Sequence, residues 1–265
     1  MLLWVNLLGM LVECLSNASL IIPAAGKGER LAMDIPSKSL LDLGGTSVLN
    51  YILDLWEGIR GPRVVGIPVG TANLFAATVG SRRCTLMECQ QGMGLGLTIF
   101  QLLQAVPSDK PVVIVLGDDF SIFFSNAKDI TKPITYGAVA TQGIARELNP
   151  AIVADTCAVQ VQMETRRIVG VVEKPPAHAP AWRGCGVYCL SPLAIALLKE
   201  NPQGLSEAFD RWADAGDILI GVPLLANFNI NQQSDLQAAR EMFARLEGSP
   251  GKSARSPRIR IAQRA

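Results

Sequence analysis

The residues best suited to chemistry lie in a glycine-rich segment near the start of the chain. Gly26 and Gly28 are followed by Arg30, and Lys38 comes eight residues after that arginine. Glycine lets backbone amides approach an anion closely, and Arg30 and Lys38 would neutralise its charge. The dinucleotide fingerprint would need glycine in place of Leu31, and no Walker loop is present. The segment therefore predicts a phosphate-binding loop of another type.

Two neighbouring carboxylates follow an apolar run over residues 111–116 that is typical of a buried strand. Asp118 and Asp119 stand just beyond this run. Ligands of α/β proteins bind at the carboxyl ends of the strands, and carboxylate oxygens are ligands that Mg²⁺ prefers. We expect Asp118 to bind the metal and Asp119, whose side chain diverges from it, to be a substrate-side or structural residue.

The composition excludes several other classes of chemistry. The 265-residue chain has one histidine, His178, so a His-rich zinc site or a two-histidine iron site is excluded. A Ser-His-Asp or Cys-His system would have to use His178, which lies in a stretch rich in proline and alanine. With 24 basic and 23 acidic residues, the chain also lacks the charge expected of a nucleic-acid-binding protein.

Several segments resemble, in the same order, those of the sugar-phosphate nucleotidyltransferases. The similarity covers a signature loop at 22–31 and 38–45, and segments at 90–96, 115–120, 172–175, 184–188 and 228–236. This ordered set spans about residues 20 to 240 and is more specific than any one motif. The resemblance implies an α/β fold of the nucleotide-diphospho-sugar transferase type, with a Rossmann-like three-layer, mostly parallel sheet and an antiparallel insertion.

The same resemblance implies an activity and a set of site residues. A nucleoside triphosphate would condense with a sugar phosphate or a similar phosphorylated metabolite, with Mg²⁺ as cofactor and pyrophosphate as second product. Catalytic roles fall on Arg30, Lys38 and Lys174, metal binding on Asp118 and Asn229, and substrate binding on Ala25, Gly26, Gly28, Gln90, Gly94, Glu173 and Gly186. Both reactants are anions, so catalysis should consist mainly of positioning and charge neutralisation.

Some of these assignments remain open at the level of sequence. Asn231 is a rival of Asn229 as metal ligand, and Gln91 is a rival of Gln90 for the nucleobase. Many relatives have Tyr-Gly before the hairpin at 168–175, whereas this chain has Cys157 and Ala158, which puts an ordinary hexose pocket in doubt.

Other functions are compatible with the same residues. One alternative is a cytidylyltransferase or guanylyltransferase acting on a non-hexose phosphate. A second is a catalytically weak relative that binds nucleotide and regulates, and a third is a nucleotide-binding α/β domain of unrelated chemistry. Selective nucleotide binding and pyrophosphate release would distinguish these alternatives.

The periodicity of apolar residues predicts the elements that position the site. Thr46 is expected to cap a helix that continues through Ile59. Strands are predicted at 19–23, 63–68, 84–88, 111–116, 136–141, 157–162, 168–173, 184–190 and 223–230, and further helices at 96–106, 191–200, 204–215 and 234–246.

The two ends of the chain differ from this central domain at 19–247. Residues 1–18 are predicted to be an apolar helical extension, with membrane association as the alternative. Residues 248–265 are predicted to be a basic disordered tail, with an anionic partner as the alternative. Six cysteines without a C-x-x-C pair indicate reduced thiols and a cytoplasmic protein. Neither nucleic acid nor a membrane is expected as a partner, and homo-oligomerisation is left open.

Overall fold

A computed structural model describes residues 17–26, 35–176 and 181–247 of the chain, with the side chain of Ala181 left out. The predicted tail at 248–265 lies outside the described residues. The predicted extension at 1–18 also lies outside them, except for its last two residues.

The described part of the chain contains one ten-stranded sheet. Its strands are β1 (Ser19–Pro23), β2 (Arg63–Pro68), β3 (Thr85–Cys89), β4 (Val112–Val115), β5 (Asp119–Phe123), β6 (Ala140–Glu147), β7 (Cys157–Gln162), β8 (Arg167–Glu173), β9 (Ala181–Leu190) and β10 (Leu219–Asn229). Their order is β3-β2-β1-β4-β9-β6-β10-β8-β7, and β5 pairs with β10.

The strand directions make the centre of this sheet mostly parallel. β3, β2, β1 and β4 are parallel neighbours, and β6 and β10 are parallel to each other. β9 runs antiparallel between β4 and β6, so the strands from β3 to β10 point the same way except for β9. β7 and β8 form an antiparallel hairpin at the far edge, which is the predicted insertion.

Helices cover both faces of the sheet. They are α1 (Val48–Leu55), α2 (Ala72–Val79), α3 (Leu95–Leu103), α4 (Lys132–Thr135), α5 (Pro150–Ala154), α6 (Pro192–Glu200), α7 (Leu205–Asp214) and α8 (Gln233–Glu247). None of the helices within the described ranges is long and apolar enough to span a membrane.

Two apolar cores lie on opposite faces of the sheet, and successive side chains of β1 point alternately into one and the other. Leu20 and Ile22 pack in one core, with buried residues of α1, α2 and α8, whereas Ile21 packs in the other, with buried residues of α3, α6 and α7. Both faces of β1 are covered, so all of its residues are buried. Its sequence therefore lacks the alternation of apolar and polar residues that a strand with one exposed face would show.

The predicted bounds of the first helix are wrong at both ends. Ser47 is the N-cap rather than Thr46, and its hydroxyl accepts a hydrogen bond from the Asn50 amide at 3.1 Å. The regular helix ends at Leu55 instead of Ile59, since the backbone of Trp56 has already left the helical conformation.

The predicted bounds of the strand at 136–141 are also wrong. Residues 132–135 form α4, and Gly137 follows in the left-handed conformation with φ of 88°, which a strand does not adopt. The strand therefore begins at Ala140 and continues to Glu147. Three helices, α2, α4 and α5, and the strand β5 were not predicted from the sequence.

Candidate active site

A cleft of about 500 Å³ lies at the carboxyl ends of β1, β3, β4 and β10. This is the edge of the sheet at which α/β proteins bind ligands. Seven of the predicted site residues line it, namely Ala25, Gly26, Lys38, Gln90, Gly94, Asp118 and Asn229. The topology therefore brings together residues that are far apart in the sequence.

A close contact between two loops shapes the floor of this cleft. The Gly117 amide donates to the carbonyl oxygen of Pro23 at 3.1 Å, which joins the end of β4 to the end of β1. A Cβ atom at residue 117 would lie only 2.9 Å from the Cβ of Ala24. Glycine is therefore required here, and this approach places Asp118 beside the loop that contains Gly26.

The two predicted metal ligands lie on neighbouring backbone segments. Asn229 ends β10 opposite Asp119 of β5, and the amide of Ile230 donates to the Asp118 carbonyl at 3.0 Å. The Oδ1 atom of Asn229 is buried and has no hydrogen-bond partner in the structure. A buried acceptor without a donor is costly, and a ligand bound to this oxygen would remove that cost.

These donors fit a magnesium ion. Mg²⁺ binds through one or two protein oxygens together with water and substrate phosphates. The Asp118 carboxylate and the Asn229 amide oxygen would provide such ligands, and 28% of the Asp118 side chain is exposed to the cleft. The described ranges contain no cluster of three or more His, Cys, Asp or Glu side chains suited to holding a metal by themselves.

Lys38 occupies a central position between the acidic and amide groups. Its Nζ atom lies 3.1 Å from Asp118 Oδ2 and 2.6 Å from Asn231 Oδ1. Asn231 is thus engaged by a lysine, whereas the oxygen of Asn229 is unpartnered, and this difference favours Asn229 over its rival as the metal ligand.

The 3₁₀ turn Lys38–Leu40, which presents the lysine to the cleft, is held in place by the residue that precedes it, Ser37. The Ser37 hydroxyl donates to the Ala24 carbonyl at 2.6 Å and also accepts a hydrogen bond from the Ser39 amide. Ser37 and Ala24 are both buried, so the contact ties this turn to the end of β1. Ser37 was not among the predicted site residues, although a serine between Pro36 and a candidate lysine is a signal for such a cap.

The start of α3 presents uncapped backbone amides to the cleft. Gly94 precedes the nine-residue helix with φ of 86°, and no side chain caps the first amides. Gly94, Leu95 and Thr98 all line the cleft. Uncapped amides and the positive end of the helix dipole therefore face the cleft, and this combination favours anions.

A buried polar network supports this site from behind. Oδ2 of Asp119 accepts hydrogen bonds from the Gly186 amide at 2.9 Å and from Asn227 Nδ2 at 2.7 Å, and Oδ1 accepts from the Ser121 hydroxyl. Burial raises the pKa of Asp119, although these hydrogen bonds favour its charged form. The network joins β5, β9 and β10, so Asp119 has the structural role that was one of its two expected roles.

Asp119→Ala should lower the free energy of unfolding by about 2–4 kcal/mol, because it leaves buried polar partners unsatisfied. Asp119→Asn should cost less. Its carbonyl can still accept from Gly186 and Asn227, and its amide can donate to Ser121. Urea unfolding of both variants measures the difference, and equal losses would contradict this role for the carboxylate.

Three other predicted residues that the structure describes, Glu173, Lys174 and Gly186, do not line the cleft. Glu173 accepts a hydrogen bond from Ser206 of α7 at 2.6 Å and lines a separate surface pocket. Lys174 is exposed beyond the end of β8 with φ of 46°, so simple strand alternation does not set its direction. Gly186 is paired through its backbone with Leu116 and Asp119. Gly28 and Arg30 lie outside the described residues.

Solved structures share this fold at low sequence identity. A UDP-glucose pyrophosphorylase complexed with UDP-glucose aligns with a TM-score of 0.70 and 18% identity, covering 86% of this chain and 98% of that one. A putative glucose-1-phosphate thymidylyltransferase from Bacillus anthracis aligns with a TM-score of 0.70 and 17% identity, covering 85% and 94%. The predicted nucleotide-diphospho-sugar transferase fold is confirmed.

Curated relatives match a shorter stretch. The bifunctional protein GlmU of Francisella philomiragia is 27% identical over 102 residues, which is 38% of this chain and 22% of that protein. GlmU of Cupriavidus pinatubonensis is 27% identical over 100 residues, with the same coverage. The match thus spans about a fifth of these relatives' length. No family model matches the chain. Together with the shared fold, the matches confirm the predicted resemblance to sugar-phosphate nucleotidyltransferases.

Proposed function

We propose that this chain is a Mg²⁺-dependent nucleotidyltransferase that condenses a nucleoside triphosphate with a sugar phosphate or a similar phosphorylated metabolite. The observation that carries the proposal is the juxtaposition of Asp118, the unpartnered oxygen of Asn229 and the Lys38 ammonium in one cleft. The shared fold of nucleotide-sugar enzymes supports the same reaction class.

The residues of the cleft would act by positioning and by neutralising charge. An acceptor phosphate oxygen attacks the α-phosphate in line, the bond to the β-phosphate breaks, and pyrophosphate leaves. Lys38 reduces repulsion between the two phosphates, and the amides near Gly26 and Gly94 bind phosphate oxygens. The attacking oxygen is already an anion, so no general base is required. Asp118 and Asn229 would hold Mg²⁺, which would supply further charge neutralisation.

The other assignments are part of this proposal. Gln90 would contact the nucleobase from its position at the end of β3. Arg30 would bind the departing pyrophosphate. Lys174, Glu173 and Gly186 would serve the acceptor, which requires Lys174 and Glu173 to turn toward the cleft from their present positions. The cytoplasm is the proposed location.

A non-hexose phosphate is a second candidate acceptor, favoured by the packing along β9. A Cβ atom at Gly184 would lie 2.3 Å from both Cys157 Sγ and Gln142 Nε2. Those side chains therefore fill the space beside a strand that the resemblance assigns to the acceptor. A polyol or alcohol phosphate needs less room there than a hexose phosphate does.

Screening the four common ribonucleoside triphosphates and dTTP against sugar and alcohol phosphates for pyrophosphate release tests the proposal. Release should need both substrates, stop with EDTA and resume with excess Mg²⁺. A folded protein that releases no pyrophosphate with any pair would contradict the activity. In that case, thermal stabilisation by one triphosphate would support the regulatory alternative instead.

A further inference from the structure

We infer that Lys38 is a built-in counter-cation of the metal-binding carboxylate, so that divalent metal binds weakly to the free protein and tightly only when nucleotide phosphates engage Lys38. The inference rests on the proposed function for the identity of the anion. Its basis is the contact of the Lys38 ammonium with Asp118 Oδ2 at 3.1 Å, beside the unpartnered oxygen of Asn229.

The lysine is held at this position by more than one contact. Asn231 Oδ1 accepts a second hydrogen bond from Lys38 Nζ at 2.6 Å. The turn that presents Asn231 is itself fixed, because Asp235 Oδ2 accepts from the amides of Asn231 at 2.9 Å and Gln232 at 2.8 Å. The Lys38 side chain is only 12% exposed. The ammonium is therefore preorganised over the carboxylate.

The charges around the cleft explain why this contact matters. Among the described residues that line it, the charged ones are Asp118 and Lys38, whose charges cancel. Within this described lining, a divalent cation that approaches Asp118 meets no net negative charge and is repelled by the ammonium at short range. A triphosphate changes this balance, because its oxygens offer Lys38 another partner and bring negative charge to the metal.

Metal and nucleotide binding would therefore be coupled. Moving Lys38 from Asp118 to a phosphate exposes a carboxylate oxygen for the metal and satisfies the ammonium at the same time. Thermodynamic linkage requires that each ligand raise the affinity for the other by the same factor. Asn231 then has the role of positioning the lysine, which separates its function from that of Asn229.

Titrating the nucleotide-free protein with Mn²⁺ alone, followed by electron paramagnetic resonance, tests the inference. Lys38→Met keeps most of the length of the side chain and removes its charge, so it should bind Mn²⁺ at least about 10-fold more tightly than the wild type. Lys38→Arg keeps the charge and should bind as weakly as the wild type. Lys128→Met removes an exposed lysine away from the cleft and is the matched control.

A second measurement omits the metal and uses inorganic tripolyphosphate in EDTA. Asp118→Asn should bind tripolyphosphate more tightly than the wild type, because Lys38 is released from its partner. This gain should disappear in the Lys38→Met background. A gain of the same size in both backgrounds would overturn the inference.

The metal titration also has results that would contradict the inference. Unchanged or weaker Mn²⁺ binding by Lys38→Met overturns the inference, and so does a lack of binding by every variant. Neither experiment uses an acceptor or measures turnover. Failure of pyrophosphate release would therefore refute the proposed function separately, without deciding whether Lys38 competes with the metal.

Discussion

Asp118→Asn should lower turnover by about 10²- to 10³-fold and leave the fold intact, because it replaces the one carboxylate among the described residues that line the cleft. The side chain is partly exposed and its bonded partner is Lys38, so no core packing is lost. Steady-state kinetics and thermal unfolding of the purified variant measure the two effects.

Asp109→Asn is the matched control for this substitution. Its side chain is 75% exposed and lies outside the cleft, so the same chemical change should leave turnover unchanged. Near-normal turnover of Asp118→Asn at saturating substrates would refute the assignment of this carboxylate to metal binding. Loss of activity together with loss of cooperative unfolding would instead show a structural role.

The second large effect is expected at Asn229. Asn229→Ala removes the unpartnered oxygen and should raise the Mg²⁺ concentration needed for half-maximal rate by about 10- to 100-fold. Asn229→Asp keeps an oxygen at the same place and adds a negative charge, so it should need no more Mg²⁺ than the wild type. Rate measured against Mg²⁺ concentration distinguishes the two variants.

Asn201→Ala controls for the loss of an amide side chain, since Asn201 is exposed at the end of α6 and lies outside the cleft. It should show the Mg²⁺ dependence of the wild type. An unchanged dependence in Asn229→Ala, or a shift of equal size in Asn201→Ala, would show that Asn229 does not bind the metal.

Local sequence patterns predicted the strand ends that line the cleft. The apolar run at 111–116 ends just before Asp118, and the glycines near residue 26 follow β1, so both features follow from short-range rules. The cap of α1 shows the limit of such rules. Thr46 and Ser47 are both good caps by type, and only the backbone conformation of Ser47 decided between them.

The relative positions of the candidate site residues depend on contacts between distant parts of the chain, which local sequence patterns do not predict. The pairing of β5 with β10 sets Asn229 opposite Asp119, across more than one hundred residues of chain. Asn229 and Asn231 are the same residue type two positions apart, so their roles separate only when Lys38 is seen to contact Asn231. Likewise, the turn at Lys174 removes the strand geometry on which its predicted direction depended.

The most direct test of the central claim is ³¹P nuclear magnetic resonance of the reaction of a nucleoside triphosphate, an acceptor phosphate and Mg²⁺. We expect equal amounts of pyrophosphate and a new diphosphate-linked product, both dependent on the acceptor and strongly reduced in Asp118→Asn. Orthophosphate formed without an acceptor, or product formation at the wild-type rate by Asp118→Asn, would contradict it.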